Sequence, residues 1–271
     1  MPCVHRCRPG KNCIRNMETE KTNHPAGGRK PMMKRKYEII FIFGFTALFL
    51  CGIGDWLIGY EPPGGTPLIF GISSTSIADV PVWFYIVSLG FGILSGFGCM
   101  VFGPAMVEVL EKNGISRETK MFRLFRFGMK SAPLMFVSFH AACCIVLLLI
   151  QASLHAGLDV KTANDVFLLS VAASLLPFVI WCFLCDIPAT VSYVYFVLKG
   201  ELKISRFFVI CCPLMMSILA KVIGAVLIAA GSKLAFLTAC GESWGWAFMC
   251  LAFLKAGSGI QKKEKTDMVQ G

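Results

Sequence analysis

Six apolar stretches, at residues 38–60, 82–107, 131–155, 166–198, 207–230 and 234–254, constrain this chain more than any other feature. A helix needs roughly 20 apolar residues to cross about 30 Å of hydrocarbon, and each stretch meets that length. Hydrophobic residues make up 56% of the sequence and charged residues only 15%. That balance excludes a soluble globule, a disordered chain, a disulfide-stapled secreted miniprotein and a coiled coil. The expected fold is all-α: a polytopic membrane helical bundle of six transmembrane helices. The fourth stretch is 33 residues long and holds Pro177 and Pro188, so it reads as one kinked or tilted helix that overshoots the membrane. A seventh crossing would need a polar turn in its middle, where Asp186 is the one charged residue.

The positive charges supply an independent test of the count. Ten of the 26 Lys and Arg residues precede Tyr37, six lie in 108–130, three in 199–206 and four from Lys255 onward. The other three connections hold two, Lys161 and Lys233, and Lys221 lies inside a span. Basic residues concentrate on the cytoplasmic side of membrane proteins. The alternation therefore predicts an even number of crossings with both termini cytoplasmic. The same reading accounts for the formal net charge of +10, which is spread along membrane flanks without any nucleic-acid-binding motif. The lipid bilayer is the expected partner, and no nucleic acid is; oligomeric state is not encoded in any pattern we recognise.

Three segments follow: a basic cytoplasmic tail at 1–36, a six-helix transmembrane domain at 37–256 and a cytoplasmic tail at 257–271. The polar lead of 36 residues before a span-length run does not read as a cleaved signal peptide. Met33, just ahead of Lys34-Arg35-Lys36, reads as a true start, which would make 1–32 an upstream extension. Cys3, His5, Cys7 and Cys13 there lack the C-x2-C pairs of a structural zinc site. No metal and no cofactor is expected.

Ten of the 13 cysteines fall inside the apolar stretches. Cys182 and Cys185 are the natural candidates to join Cys211-Cys212 in a thiolate site. The short turn near 199–205, however, sets Cys211 level with Tyr193, about 12 Å along the helix from Cys185 at 1.5 Å per residue. They read as small buried hydrophobes. Gly92-x3-Gly96 and Gly241-x3-Gly245 are spacings that let helix backbones approach closely, here within the bundle.

The ionisable residues inside the spans are the candidate site. An Asp or Lys near the membrane centre costs roughly 2.5–3.5 kcal/mol, so several of them need compensation. Measured at 1.5 Å per residue, Asp186, Lys221 and Glu242 lie about 20–22 Å from the inner face, Asp55 near 25 Å and His140 near 15 Å. Antiparallel pairing of the last two spans places Lys221 level with Glu242. The expectation is a polar cluster of Asp55, His140, Asp186, Lys221 and Glu242, with Lys221 as the hub between Glu242 and Asp186. Intramembrane charges of this kind mark substrate, ion or proton paths, or else lock a bundle together.

Gly52-Ile53-Gly54-Asp55-Trp56, Phe139-His140-Ala141-Ala142-Cys143 and Gly241-Glu242-Ser243-Trp244-Gly245-Trp246 together resemble a family of bacterial multi-pass membrane proteins known only as a domain of unknown function. The likeness spans about residues 33–253. It implies an integral protein of the bacterial plasma membrane and supplies no catalytic residues.

The functional expectation is a small transporter or proton/cation-coupled permease for a small polar or ionic substrate. No internal repeat supports it, although many transporters carry one. An intramembrane enzyme acting on a lipid or polyprenyl substrate, and a structural or accessory subunit, are the alternatives. Hydrolase, nucleotide-binding and metalloprotease motifs are absent from the sequence.

Overall fold

All six apolar stretches are helical in the computed structural model, which describes residues 30–68, 73–232 and 234–269. The helices are α1 (Lys30–Gly59), α2 (Val82–Lys112), α3 (Lys120–His155), α4 (Val160–Ser170), α5 (Leu176–Leu198), α6 (Pro213–Ala229) and α7 (Gly241–Val269). Five segments are long and apolar enough to cross a membrane: Lys36–Gly59, Val82–Lys112, Lys120–His155, Val179–Leu198 and Ala235–Ser258. The sixth, α6, is apolar but only 17 residues long. A short 3-10 helix, Arg206–Ile210, precedes it and another, Ala235–Cys240, leads into α7. The chain is an all-α polytopic bundle. Strong exposure of large apolar side chains such as Leu169 (71%), Ile228 (69%) and Ile86 (64%) leaves an outer surface suited to lipid rather than water.

The fourth stretch departs from a simple kink. A π-turn at Val171–Leu175 separates α4 from α5, with the Leu176 N–H bonded five residues back to the Val171 carbonyl. Pro177 follows directly and cannot donate to the helix, so the irregularity falls where the ladder is already interrupted. The N-terminal Cys3, His5, Cys7 and Cys13 lie outside the described residues, as does Lys233.

α1 packs against α2 and α7, α2 against α3, α3 against α5, and α6 against α7. α7 is the centre: Trp246, Ala247, Met249, Cys250, Ala252 and Phe253 are all inaccessible. The Phe253 ring meets Phe125 at 5.5 Å, Tyr193 at 6.0 Å and Phe41 at 6.4 Å between centroids, tying three helices to the central one. Between α5 and α6 the Leu214 N–H reaches Thr190 Oγ1 at 3.5 Å, the register expected from the length of their turn. The loop between α1 and α2 is held by Glu61, which accepts from Ser73 Oγ and from Ser74 N at 3.0 Å. Gln151 Nε2 donates to the Val80 carbonyl at 2.6 Å and fixes the start of α2 to α3. At the other end of the bundle Lys112 Nζ lies 3.0 Å from Glu108 and 2.8 Å from Tyr37 Oη, joining α1 to α2. Asp159 caps α4 by accepting from Lys161 N and Thr162 N, and these bonds, with that from the Thr162 hydroxyl, hold its carboxyl below the usual range.

Glycines set the closest contacts. A Cβ on Gly241 would lie 2.6 Å from Ala220 Cβ, and one on Gly245 would lie 2.5 Å from Pro213 Cα and 2.6 Å from the Cys212 carbonyl oxygen. Both glycines thus face α6 or the residue before it. Because the obstacle at Gly245 is backbone, Gly245→Ala should destabilise the protein by about 1–3 kcal/mol, as overpacking does. Gly90 has nothing within 4 Å of its Cβ position, so Gly90→Ala should be neutral or slightly stabilising, and thermal unfolding in detergent reads both glycine variants.

Candidate functional site

Asp55 lies on α1, one helical turn beyond Cys51, so both side chains share a face. That face meets α2, α3 and α7. His140 of α3 sits against the backbone of Gly92, where a Cβ would fall 2.5 Å from His140 Cβ, so only glycine leaves room for the ring. The His140 Nε2 atom is 3.4 Å from Asp55 Oδ1 and 3.0 Å from Cys51 Sγ. Its Nδ1 is 3.3 Å from Ser88 Oγ of α2. Ser243 Oγ of α7 donates to Asp55 Oδ2 at 2.6 Å. Ser95 Oγ reaches Cys51 Sγ at 3.4 Å and the Gly92 carbonyl at 2.8 Å. Asp55 and His140 are both buried. The difference of height expected between them is absent, because α3 starts at Lys120, well before its apolar stretch, and its level cannot be counted from Ser131.

A second set adjoins the first through α7. Trp246 Nε1 donates to Asp186 Oδ1 at 2.9 Å. The Asp186 and Glu242 carboxyl groups are close neighbours across α5 and α7. Two carboxylates side by side in an apolar interior repel each other, which favours a proton on one of them. Glu242 and Ser243 are consecutive, so α7 presents one carboxyl to α5 and one hydroxyl to α1 at the same height. The structure therefore brings Asp55, His140, Asp186 and Glu242 together from four helices.

Lys221 departs from its expected place. It is exposed, and among the described residues it forms no ion pair with Asp186 or Glu242. The face of α6 that packs on α7 is a stripe of small residues: Ser217 and Ala220 lie against Gly241, and Gly224 against Thr238. Lys221 is one position round the helix from that stripe and reaches only the edge of the cluster. The hub is the carboxyl pair, and the ammonium stands at its rim.

A cavity of about 200 Å³ lies against Asp55 and Glu242. Asp55, Glu242, Ser243, Ser217 and Lys221 form its polar wall, and Met135, Phe136, Phe139 and Cys182 its apolar one. Ser88 and His140 do not line it. The order Ser88–His140–Asp55 has the partners of a hydrolytic triad, but its serine is fully buried and faces no space for a substrate. The described cysteines are all free thiols, and no group of three or more His, Cys, Asp or Glu among the described residues is arranged to hold a metal ion.

A family model covers residues 32–258, which take in every helix of the cluster. The chain belongs to DUF6796, a family of unknown function. No curated protein and no solved structure matches it. The DUF6796 match reaches from the start of α1 to the middle of α7, so the cluster, its cavity and the helices that frame them all lie within the family's domain. Cys51, Ser88, Ser243 and Trp246 are partners that the list of charged residues alone overlooks. Two of them were open to inference from spacing, since Cys51 precedes Asp55 and Trp246 follows Glu242 by one helical turn.

Proposed function

We propose that this DUF6796 protein is a proton-coupled permease for a small polar or cationic solute, with the 200 Å³ cavity as its binding site. The observation that carries the reading is the convergence on one cavity of Asp55 and Glu242, the latter beside Asp186. A space of that size holds about six waters at ~30 Å³ each, which fits a solute with few heavy atoms. A cation entering it meets two carboxyl groups, and its charge displaces the proton held between Asp186 and Glu242. Exchange of one positive charge for another keeps the buried site neutral, which a low-dielectric interior demands. Lys221 at the rim repels a second cation and limits occupancy to one. The reading as an enzyme gains nothing from the enclosed Ser88 and His140. The alternation of basic loops supports a cytoplasmic position for both termini, and the proposed setting is a bacterial plasma membrane.

The test is uptake. Purified protein in liposomes with an acidic interior is exposed to a panel of radiolabelled small organic cations, with tetramethylammonium, which has no neutral form to cross lipid, as the first probe. A saturable uptake that depends on the imposed pH gradient is expected. Uptake no larger than that of empty liposomes for every cation, from protein whose thermal unfolding is intact, would overturn the reading.

A further inference from the structure

A second crevice, of about 420 Å³, lies between α2 and α3 at the basic end of the bundle and shares no lining residue with the carboxyl cavity. Its floor has a backbone cause. Pro104 and Pro133 both line it, and each lacks the N–H that would bond to the carbonyl four residues earlier. Those carbonyls belong to Met100 and Met129, which also line it. Farther along, at Gly96, the helices close up: a Cβ there would lie 2.5 Å from Val137 Cγ2 and 3.0 Å from the Pro133 carbonyl oxygen. The crevice is therefore a wedge that narrows into the apolar part of the bundle and opens towards the 113–119 loop.

Its mouth is basic. Arg117 is engaged by Glu111 through two bonds of 2.7 Å, which leaves that pair neutral. Arg126 and Lys130 lie one turn apart on the same face of α3, are exposed, and form no ion pair among the described residues. Below them Met100 is 62% exposed, so the apolar wedge is open to the surrounding hydrocarbon. Two uncompensated cations above an outward-open apolar groove match an anionic headgroup above an acyl chain. A soluble anion would have no use for the groove, and a zwitterionic lipid would leave the charge unanswered.

We propose that this crevice binds an anionic phospholipid, its phosphate held by Arg126 and Lys130 and one acyl chain laid along Met100, Pro104 and Pro133. The test uses the full chain in a neutral detergent, titrated with phosphatidylglycerol or phosphatidylcholine and followed by native mass spectrometry. Phosphatidylglycerol should bind as a single retained molecule and phosphatidylcholine should not. The double variant Arg126→Gln/Lys130→Gln should weaken phosphatidylglycerol binding about thirty-fold, from the attraction expected per basic residue near an anionic headgroup. Arg123→Gln/Arg206→Gln, which alters exposed cations outside the crevice, should leave it unchanged. Equal binding of the two lipids, equal loss in both double variants, or displacement of the lipid by inorganic phosphate at matched ionic strength would each overturn the assignment. Thermal unfolding of the variants without added lipid separates lost binding from lost fold.

Discussion

Glu242→Gln should reduce proton-driven cation uptake to background while leaving the amount and thermal stability of the protein close to wild type. The argument rests on shape and on what the amide keeps. Glutamine has the size of glutamate, and its N–H can donate to Asp186, so the contact between α5 and α7 survives. What it loses is the capacity to exchange a proton and to offer negative charge to the cavity. If the cluster serves only to hold the bundle, an amide that preserves the contact costs little and no uptake existed to be lost. Lys221→Met makes a complementary case: the side chain is exposed and unpaired among the described residues, so stability should be unaffected and any change confined to which solutes are admitted.

Trp246→Ala should have the largest effect on stability, about 3–5 kcal/mol, the range for removing a fully packed aromatic side chain. Trp246 is inaccessible at the centre of α7, packs edge-on to Phe136 at 6.0 Å and donates to Asp186. The substitution therefore opens a void and leaves a buried carboxyl oxygen short of a donor. Trp246→Phe separates the two contributions. It retains most of the ring volume and removes the N–H, so its cost should fall near that of one unsatisfied buried polar group, about 1–3 kcal/mol. Thermal unfolding in detergent reads both variants. Equal stability of Trp246→Ala and wild type would mean that the centre of the bundle lies elsewhere.

Much of this arrangement was legible in the chain because a membrane restricts the possibilities. Apolar length located the helices, and short turns set the register of neighbours, as the contact of Thr190 with Leu214 illustrates. Height along the bundle follows from those two quantities, which is how Asp186 and Glu242 were placed together. Rotation about each helix axis does not follow from them. Lys221 shows the consequence: its height matches Glu242, yet the small side chains of Ser217, Ala220 and Gly224 claim the packed face and turn the lysine outward. That stripe was readable at helical spacing, and weighing it against the charge would have predicted the outcome. The π-turn at Val171–Leu175 was not readable beyond the presence of Pro177, since a proline specifies an interruption and not its form. The role of Ser88 was equally hidden. It faces His140 only because Gly92, one turn along α2, admits the imidazole ring.

The central claim is that Asp186 and Glu242 hold one proton between them. Infrared spectroscopy of the protein in lipid at neutral pH, compared with Glu242→Gln and Asp186→Asn, tests it directly. The claim predicts a carbonyl stretch of a protonated carboxyl group in the wild type that shifts on deuteration and vanishes in each variant. A wild-type spectrum with no protonated carboxyl, or one whose band survives in both variants, would contradict it.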